Sequence, residues 1–205
     1  MEVQKHFNRH KLTGRILRII KAKSVYSVYM QTTHSRDGKS TNDVRVVAFP
    51  PMFSEVDKFK KGDLVTINGY TTRNPKEDRM SQNIIMNSIE KAKSKLEELG
   101  LTKNAKMVVR ENEGIYVGIV NTITVSKRNN MGYVFLSILN DGHQSEVCVR
   151  FFMLPQNKSF FDKVKKGDNV AISATMQSKE KVVETDKGER KINYENLVGM
   201  EAVIL

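Results

Sequence analysis

Apolar residues in this chain fall in short β-branched and aromatic runs that alternate with polar positions, and clusters of Gly, Pro, Asn and Asp punctuate them. That pattern predicts strands. In the first half it places them at about residues 12–21, 25–33, 43–49, 64–72 and 83–88, with a short helix at 52–60. In the second half it places them at 115–125, 132–139, 145–152, 169–177 and 190–204, with a helix at 157–165. Val44 to Phe49 and Val147 to Phe152 each run into proline, as strands that end in turns do.

The two halves repeat one another. VDKFKKGDLVTI at 56–67 recurs as FDKVKKGDNVAI at 161–172. Val56 and Phe59 become Phe161 and Val164, so a large and a small apolar side chain trade places one turn apart and total volume is kept. Gly14 and Gly118 sit at the same place inside an apolar strand, where a glycine marks a bend or bulge of the kind a small closed barrel needs. Five strands with one helix between the third and fourth is the order of an OB-fold. The expected fold class is therefore mainly β: two tandem OB-fold barrels, each of five strands and a short helix, joined by a helical connector. The expected borders are 1–87 for the first barrel, 88–114 for connector and linker, and 115–205 for the second. Asn87 can cap a helix with Glu90 in the capping-box position, and Ile89, Ala92, Leu96 and Leu99 form an apolar stripe that stops at Gly100. Residues 101–114 read as a polar, basic linker.

With 205 residues, each half has ordinary domain size, and a single cysteine, Cys148, excludes an internal disulfide and makes the cytoplasm the default compartment. No apolar run reaches membrane-spanning length, and the first residues lack a secretory core, so no membrane association is expected. Enzyme chemistry finds no support. His6, His10, His34 and His143 are scattered, the first two in what reads as a terminal arm, and no phosphate-binding loop, nucleophile elbow or paired carboxylate appears. Neither a metal nor a cofactor is expected. Asp63 and Asp168 repeat, but each follows the glycine of a KKGD turn, where aspartate serves local hydrogen bonding.

Net charge is +11, and it is unevenly spread: residues 1–100 carry +8 and residues 101–205 carry +3. No acidic residue occurs between Val3 and Arg36, a stretch that holds eight cations, among them Arg15, together with Tyr26 and Tyr29. A charge run is ordinarily a solvated face. Tyrosines interleaved on a strand turn it toward a polyanion surface, because bases stack on rings while cations follow the phosphates.

Residues 44–70, VRVVAFPPMFSEVDKFKKGDLVTINGY, resemble the third strand, helix and fourth strand of bacterial-type single-stranded DNA-binding proteins. Residues 147–173 look like a second, more divergent copy, and GERKINYENLVG at 188–199 is similar to that family's last strand. The resemblance implies that Val44, Val46 and Ala48 point into the barrel while Arg45, Val47 and Phe49 face the nucleic acid, with Cys148, Arg150 and Phe152 as their counterparts. Strand alternation adds Tyr29 in the first copy and Tyr133 and Phe135 in the second. The loops add cations: Arg36 and Lys39 between strands two and three; Arg73, Lys76 and Arg79 between strands four and five; and Lys179, Lys181, Lys187, Arg190 and Lys191 in the matching region of the second copy.

The expected function is binding and protection of single-stranded DNA with little sequence preference, in replication, recombination or repair. Two alternatives stand beside it: single-stranded RNA binding on the same fold, and an assembly module of a replication or recombination complex, with the less basic second barrel used for protein contacts. Expected partners are single-stranded DNA or RNA, further copies of the chain, since some lineages of the family pair two-barrel chains, and replication or recombination proteins. A phage or plasmid origin is equally compatible. Tail-mediated recruitment is not expected, because GMEAVIL at 199–205 reads as a strand rather than a flexible acidic tail, and tryptophan platforms are excluded by the absence of Trp.

Overall fold

A computed structural model describes residues 6–33, 41–73, 82–92, 112–140, 143–185 and 188–205. The expected strand order holds. β1 (Phe7–Lys21), β2 (Tyr26–Thr33), β3 (Thr41–Ala48), β4 (Leu64–Arg73) and β5 (Gln82–Lys91) pair in the cycle β2-β3-β5-β4-β1, and a β1–β2 pairing closes the barrel. β6 (Asn112–Ser126), β7 (Met131–Asn140), β8 (His143–Phe152), β9 (Asn169–Thr185) and β10 (Gly188–Ile204) repeat the cycle and close through β6–β9. In each ring the third and fifth strands are parallel and the other resolved pairings antiparallel, with Val46 opposite Ile84 in one and Val149 opposite Leu197 in the other. The chain divides into two compact units: His10–Tyr70 with Ile84–Glu113, and Gly114–Leu205 with Met1–Arg9 and Thr71–Asn83.

Each core is the inward set of its alternating strands. Leu12, Val28, Met30, Val44, Val46, Ile67 and Ile84 fill the first ring; Val134, Leu136, Val149, Phe151, Ile172 and Leu197 fill the second; all are essentially inaccessible. Gly14 and Gly118 admit a strand that a side chain would exclude, since a Cβ would stand 2.3 Å from the Gln31 carbonyl oxygen in the first case and 2.6 Å from that of Ser137 in the second. The bulges lie slightly further on, between Ile16 and Arg18 and between Val120 and Thr122.

The KKGD turns are the same device twice. Asp63 accepts the Lys60 N–H on its side chain at 2.9 Å, and Asp168 accepts that of Lys165 at 2.8 Å. Gly62 (φ 96°) and Gly167 (φ 94°) take the left-handed conformation glycine allows. Their N–H groups donate to the carbonyls of Ile16 and Val120, each at 2.8 Å, and so fasten the turn to the bulged first strand. Both aspartates are structural.

Several expectations are corrected. The first helix is shorter than 52–60: a 3₁₀ turn at Pro50–Met52 leads into α1 (Phe53–Val56), and α2 is Pro155–Phe161. Phe59 and Val164 therefore lie beyond the helix ends, and in both copies the valine of the swapped pair is buried while the phenylalanine is half-buried. Phe161 covers Gly132, where a Cβ would come within 2.4 Å of its ring. Residues 88–91 continue β5 instead of opening a helix, because Ala92 N–H donates to Leu64 O at 3.0 Å and Ile89 is buried in the barrel. The remainder of the expected connector helix, and the expected linker as far as residue 111, lie outside the described residues. β9 and β10 extend past their expected ends, pairing Lys179 with Tyr194 and Val183 with Arg190 up to Thr185 opposite Gly188. His10 is no part of a loose arm: it is fully buried in β1.

Candidate nucleic-acid interface

On β3 the inward set is as expected: Val44, Val46 and Ala48 are sealed, Arg45 is half-exposed on the opposite side, and Phe49 stands 46 % exposed at the strand's end. Register places Arg45 directly across from Tyr29 on β2, and Tyr29 across from Arg18 on β1. The Arg18 guanidinium lies 4.1 Å from the centre of the Tyr29 ring. The three side chains form one row, cation–ring–cation, across the outer face of the first barrel. A base could stack on such a ring while the flanking cations meet phosphates.

A second aromatic group adjoins this row. Tyr26, opposite Ala48, stacks in parallel on Phe53 with ring centres 3.8 Å apart. Lys21 lies 5.5 Å from the Tyr26 ring centre and ion-pairs with Asp57; the Asp57 hydrogen bond holds its ammonium above the usual lysine range. Arg15, by contrast, precedes the β1 bulge, pairs with Gln31 rather than Tyr29, and donates to Gly62 O at 2.7 Å.

Register also identifies the matching row in the second barrel. Thr122 pairs with Phe135, and Phe135 with Cys148. It carries no charge, and beyond the exposed Thr122 it is closed: Phe135 and Cys148 are 4 % and 3 % exposed, with the buried Gln82 side chain accepting the Cys148 N–H at 3.3 Å. Arg150 is likewise buried, donating toward Gln177 at 3.4 Å. The expectation that Phe135 and Arg150 lie open is therefore corrected. Tyr133 is half-buried within reach of Asn129, at 3.4 Å, and Phe152 is 51 % exposed.

The remaining expected cations are dispersed. Arg73 ends β4 and is engaged by Glu146 at 2.7 Å. Lys179 is exposed on β9, and Arg190 lies in β10 rather than in a loop. Arg36, Lys39, Lys76 and Arg79 lie outside the described residues. Arg18, absent from the expected set, is the residue sequence alternation missed. The extra residue in the bulge, Leu17, shifts the phase of β1 and turns Arg18 toward Tyr29.

Among the described residues no helix is long and apolar enough to cross a membrane, and no cluster of metal-ligating side chains forms. No protein-family model and no curated protein matches the chain by sequence. Solved structures do match it. A deletion mutant of the single-stranded DNA-binding protein from Thermus aquaticus aligns with a TM-score of 0.64 at 11 % identity, over 98 % of this chain and 95 % of that one. The wild-type Thermus aquaticus protein aligns with a TM-score of 0.60 at 11 % identity, over 98 % and 94 %. The chain thus shares, over nearly its whole length, the fold of the single-stranded DNA-binding protein from Thermus aquaticus.

Proposed function

We propose that this chain binds and protects single-stranded DNA with little sequence preference, as a non-enzymatic, cytoplasmic protein of replication, recombination or repair. It would act through two barrel modules, the first reaching the end of β5 at Lys91 rather than residue 87 and the second opening with β6 at Asn112 rather than residue 115. The observation that carries the reading is the Arg18–Tyr29–Arg45 row, an accessible ring between two cations on the face of a closed β-barrel. The fold shared with the Thermus aquaticus protein supports it. Cations capture the phosphates and rings take the bases; nothing in that scheme reads base edges, so sequence preference is weak. The first barrel carries most of the affinity, because its row is charged with an accessible ring, where the row of the second is uncharged with a buried ring.

Titration with oligo-dT at several salt concentrations tests this reading. Log affinity falls with log salt at about −0.7 per phosphate neutralised on a single strand, so Arg45→Ala should make the slope shallower by roughly that amount. An unchanged slope with unchanged affinity would remove Arg45 from the interface. Competition with an RNA oligomer of matched sequence decides between the two nucleic acids; tighter RNA binding would replace DNA with RNA as the ligand.

Phe49→Ala is expected to weaken oligo-dT binding by about 1–3 kcal/mol, the usual worth of a base–ring stack, and to leave the thermal midpoint nearly unchanged because the ring is already exposed. A large drop in midpoint with normal binding would assign Phe49 to packing.

A further inference from the structure

The end of β4 and the start of β5 belong to the same compact unit as the second barrel. The buried Asn8 grips the Thr71 backbone twice: its Nδ2 donates to Thr71 O at 2.7 Å, and its Oδ1 accepts the Thr71 N–H at 2.9 Å. The Thr71 hydroxyl shares a 2.8 Å hydrogen bond with the hydroxyl of the buried Tyr116. Two residues beyond this anchored point, the Arg73 guanidinium reaches β8, where Nη1 donates to Glu146 Oε2 at 2.7 Å.

Glu146 precedes the inward Val147 and so shares the outer side of β8 with Cys148, beside the uncharged row of the second barrel. Arg73 brings to that side a cation which the row itself lacks. The contact is a single hydrogen bond rather than a two-pronged fork, the buried Nε of Arg73 makes none, and the side chains are 32 % and 35 % exposed. A pair so accessible contributes little to the fold, and buried neutral groups already seat the strand ends: Asn8 and Tyr116 at Thr71, and Gln82 at Cys148. The duplication agrees. Lys11–Asn68 matches Ile115–Ser173, and Tyr29–Arg45 matches Phe135–Cys148, so Ser178 stands where the first copy has Arg73 and Asp43 where the second has Glu146. The carboxylate recurs and the arginine does not, so strand pairing does not demand the ion pair.

We infer that Glu146 is an internal competitor for phosphate that holds Arg73 out of the nucleic-acid contact, an inference that rests on the single-stranded DNA reading above. Arginine meets carboxylates and phosphates through the same N–H groups, so Glu146 takes the donor and neutralises the charge that a phosphate would use. An arginine tied in this way releases no counterion from the strand and adds nothing to the salt dependence of binding. Arg73 is therefore silent while Glu146 is in place. Glu146 thereby sets the affinity of the chain below what its cations allow.

Oligo-dT titrations of the full chain across a salt series test this on wild type, Glu146→Gln, Arg73→Ala and the double variant. Arg73→Ala alone should leave both slope and affinity as in wild type. Glu146→Gln should steepen the log–log salt slope by about 0.7, one added phosphate; that tightens binding about eight-fold at roughly 50 mM salt and about four-fold at roughly 150 mM, fading toward about 1 M. The double variant should return to wild-type values, because the gain runs through Arg73. Far-UV melts of all four should nearly coincide, since the pair is accessible and the strand ends are seated by other groups. A Glu146→Gln slope equal to that of wild type would overturn the inference. So would a gain that persists in the double variant, which marks general charge repulsion, or a shallower slope for Arg73→Ala alone, which marks an arginine already on the phosphates. Wild-type chain that fails to bind oligo-dT, or binds it without salt dependence, would overturn the single-stranded DNA reading and this inference together.

Discussion

Alanine at Phe135 should cost about 3–5 kcal/mol of stability, whereas alanine at Tyr29 should cost the fold little and single-stranded DNA affinity about 1–3 kcal/mol, roughly five- to 150-fold. The two residues are register equivalents: each is the middle residue of its outer row, paired on β3 or β8 with Arg45 in one barrel and Cys148 in the other. They differ in surroundings. Tyr29 is half-exposed beneath the Arg18 guanidinium, while Phe135 is 4 % exposed. Removing a buried ring leaves a cavity; removing an accessible one leaves only a missing platform. Urea midpoints and oligo-dT titrations of the two variants check this. A Tyr29→Ala protein that unfolds readily but binds normally when folded would make that ring structural.

The second large effect is acid sensitivity centred on His10. Burial pushes its pKa down to about 4, only partly offset by the hydrogen bond to Asn112. Asn112 Nδ2 donates to Thr32 Oγ1 at 3.3 Å, so its Oδ1 is the atom 3.0 Å from His10 Nε2, and Nε2 carries the proton of the neutral ring. The unfolded chain protonates His10 near pH 6.5, the folded one near 4. This contribution to stability is therefore complete above about pH 6.5 and is lost as pH falls to about 4. The slope is about 1.4 kcal/mol per pH unit, for a total of about 3 kcal/mol. Carboxylates add their own acid dependence, so the decisive quantity is the difference between wild type and His10→Gln. Urea midpoints followed from pH 7.5 to 4 should fall more steeply for wild type, and parallel curves would show that His10 ionises freely in the fold.

Much of this architecture is legible in the chain, and its failures have physical causes. The barrel order follows from Val/Ile/Phe runs and repeated KKGD turns, because those residues act locally: glycine takes positive φ, aspartate ties its own turn, and alternation sets the inward face. The fate of residues 88–91 was settled elsewhere. Asn87, Glu90 and Ile89 satisfy a helix start, yet β4 offers Leu64 O to Ala92, and non-local pairing overrides a local cap. Phe135 and Tyr29 show the same limit at the candidate site. Alternation assigns both to the outer face correctly, but whether an outer residue is open depends on what covers it, and Gln82, 66 positions from Cys148, takes part in closing that part of the sheet. Arg18 was hidden by one bulged residue, which reverses side-chain direction downstream without any signal in composition.

The most direct measurement is fluorescence anisotropy of the full chain with a labelled single strand, in competition with unlabelled single strand and with blunt duplex of equal length, for wild type and Tyr29→Ala. Stacking needs base faces that a duplex hides, so the single strand should compete far better than the duplex, and Tyr29→Ala should narrow that gap chiefly by weakening the single strand. Equal or better competition by the duplex, or a gap untouched by Tyr29→Ala, would contradict the account.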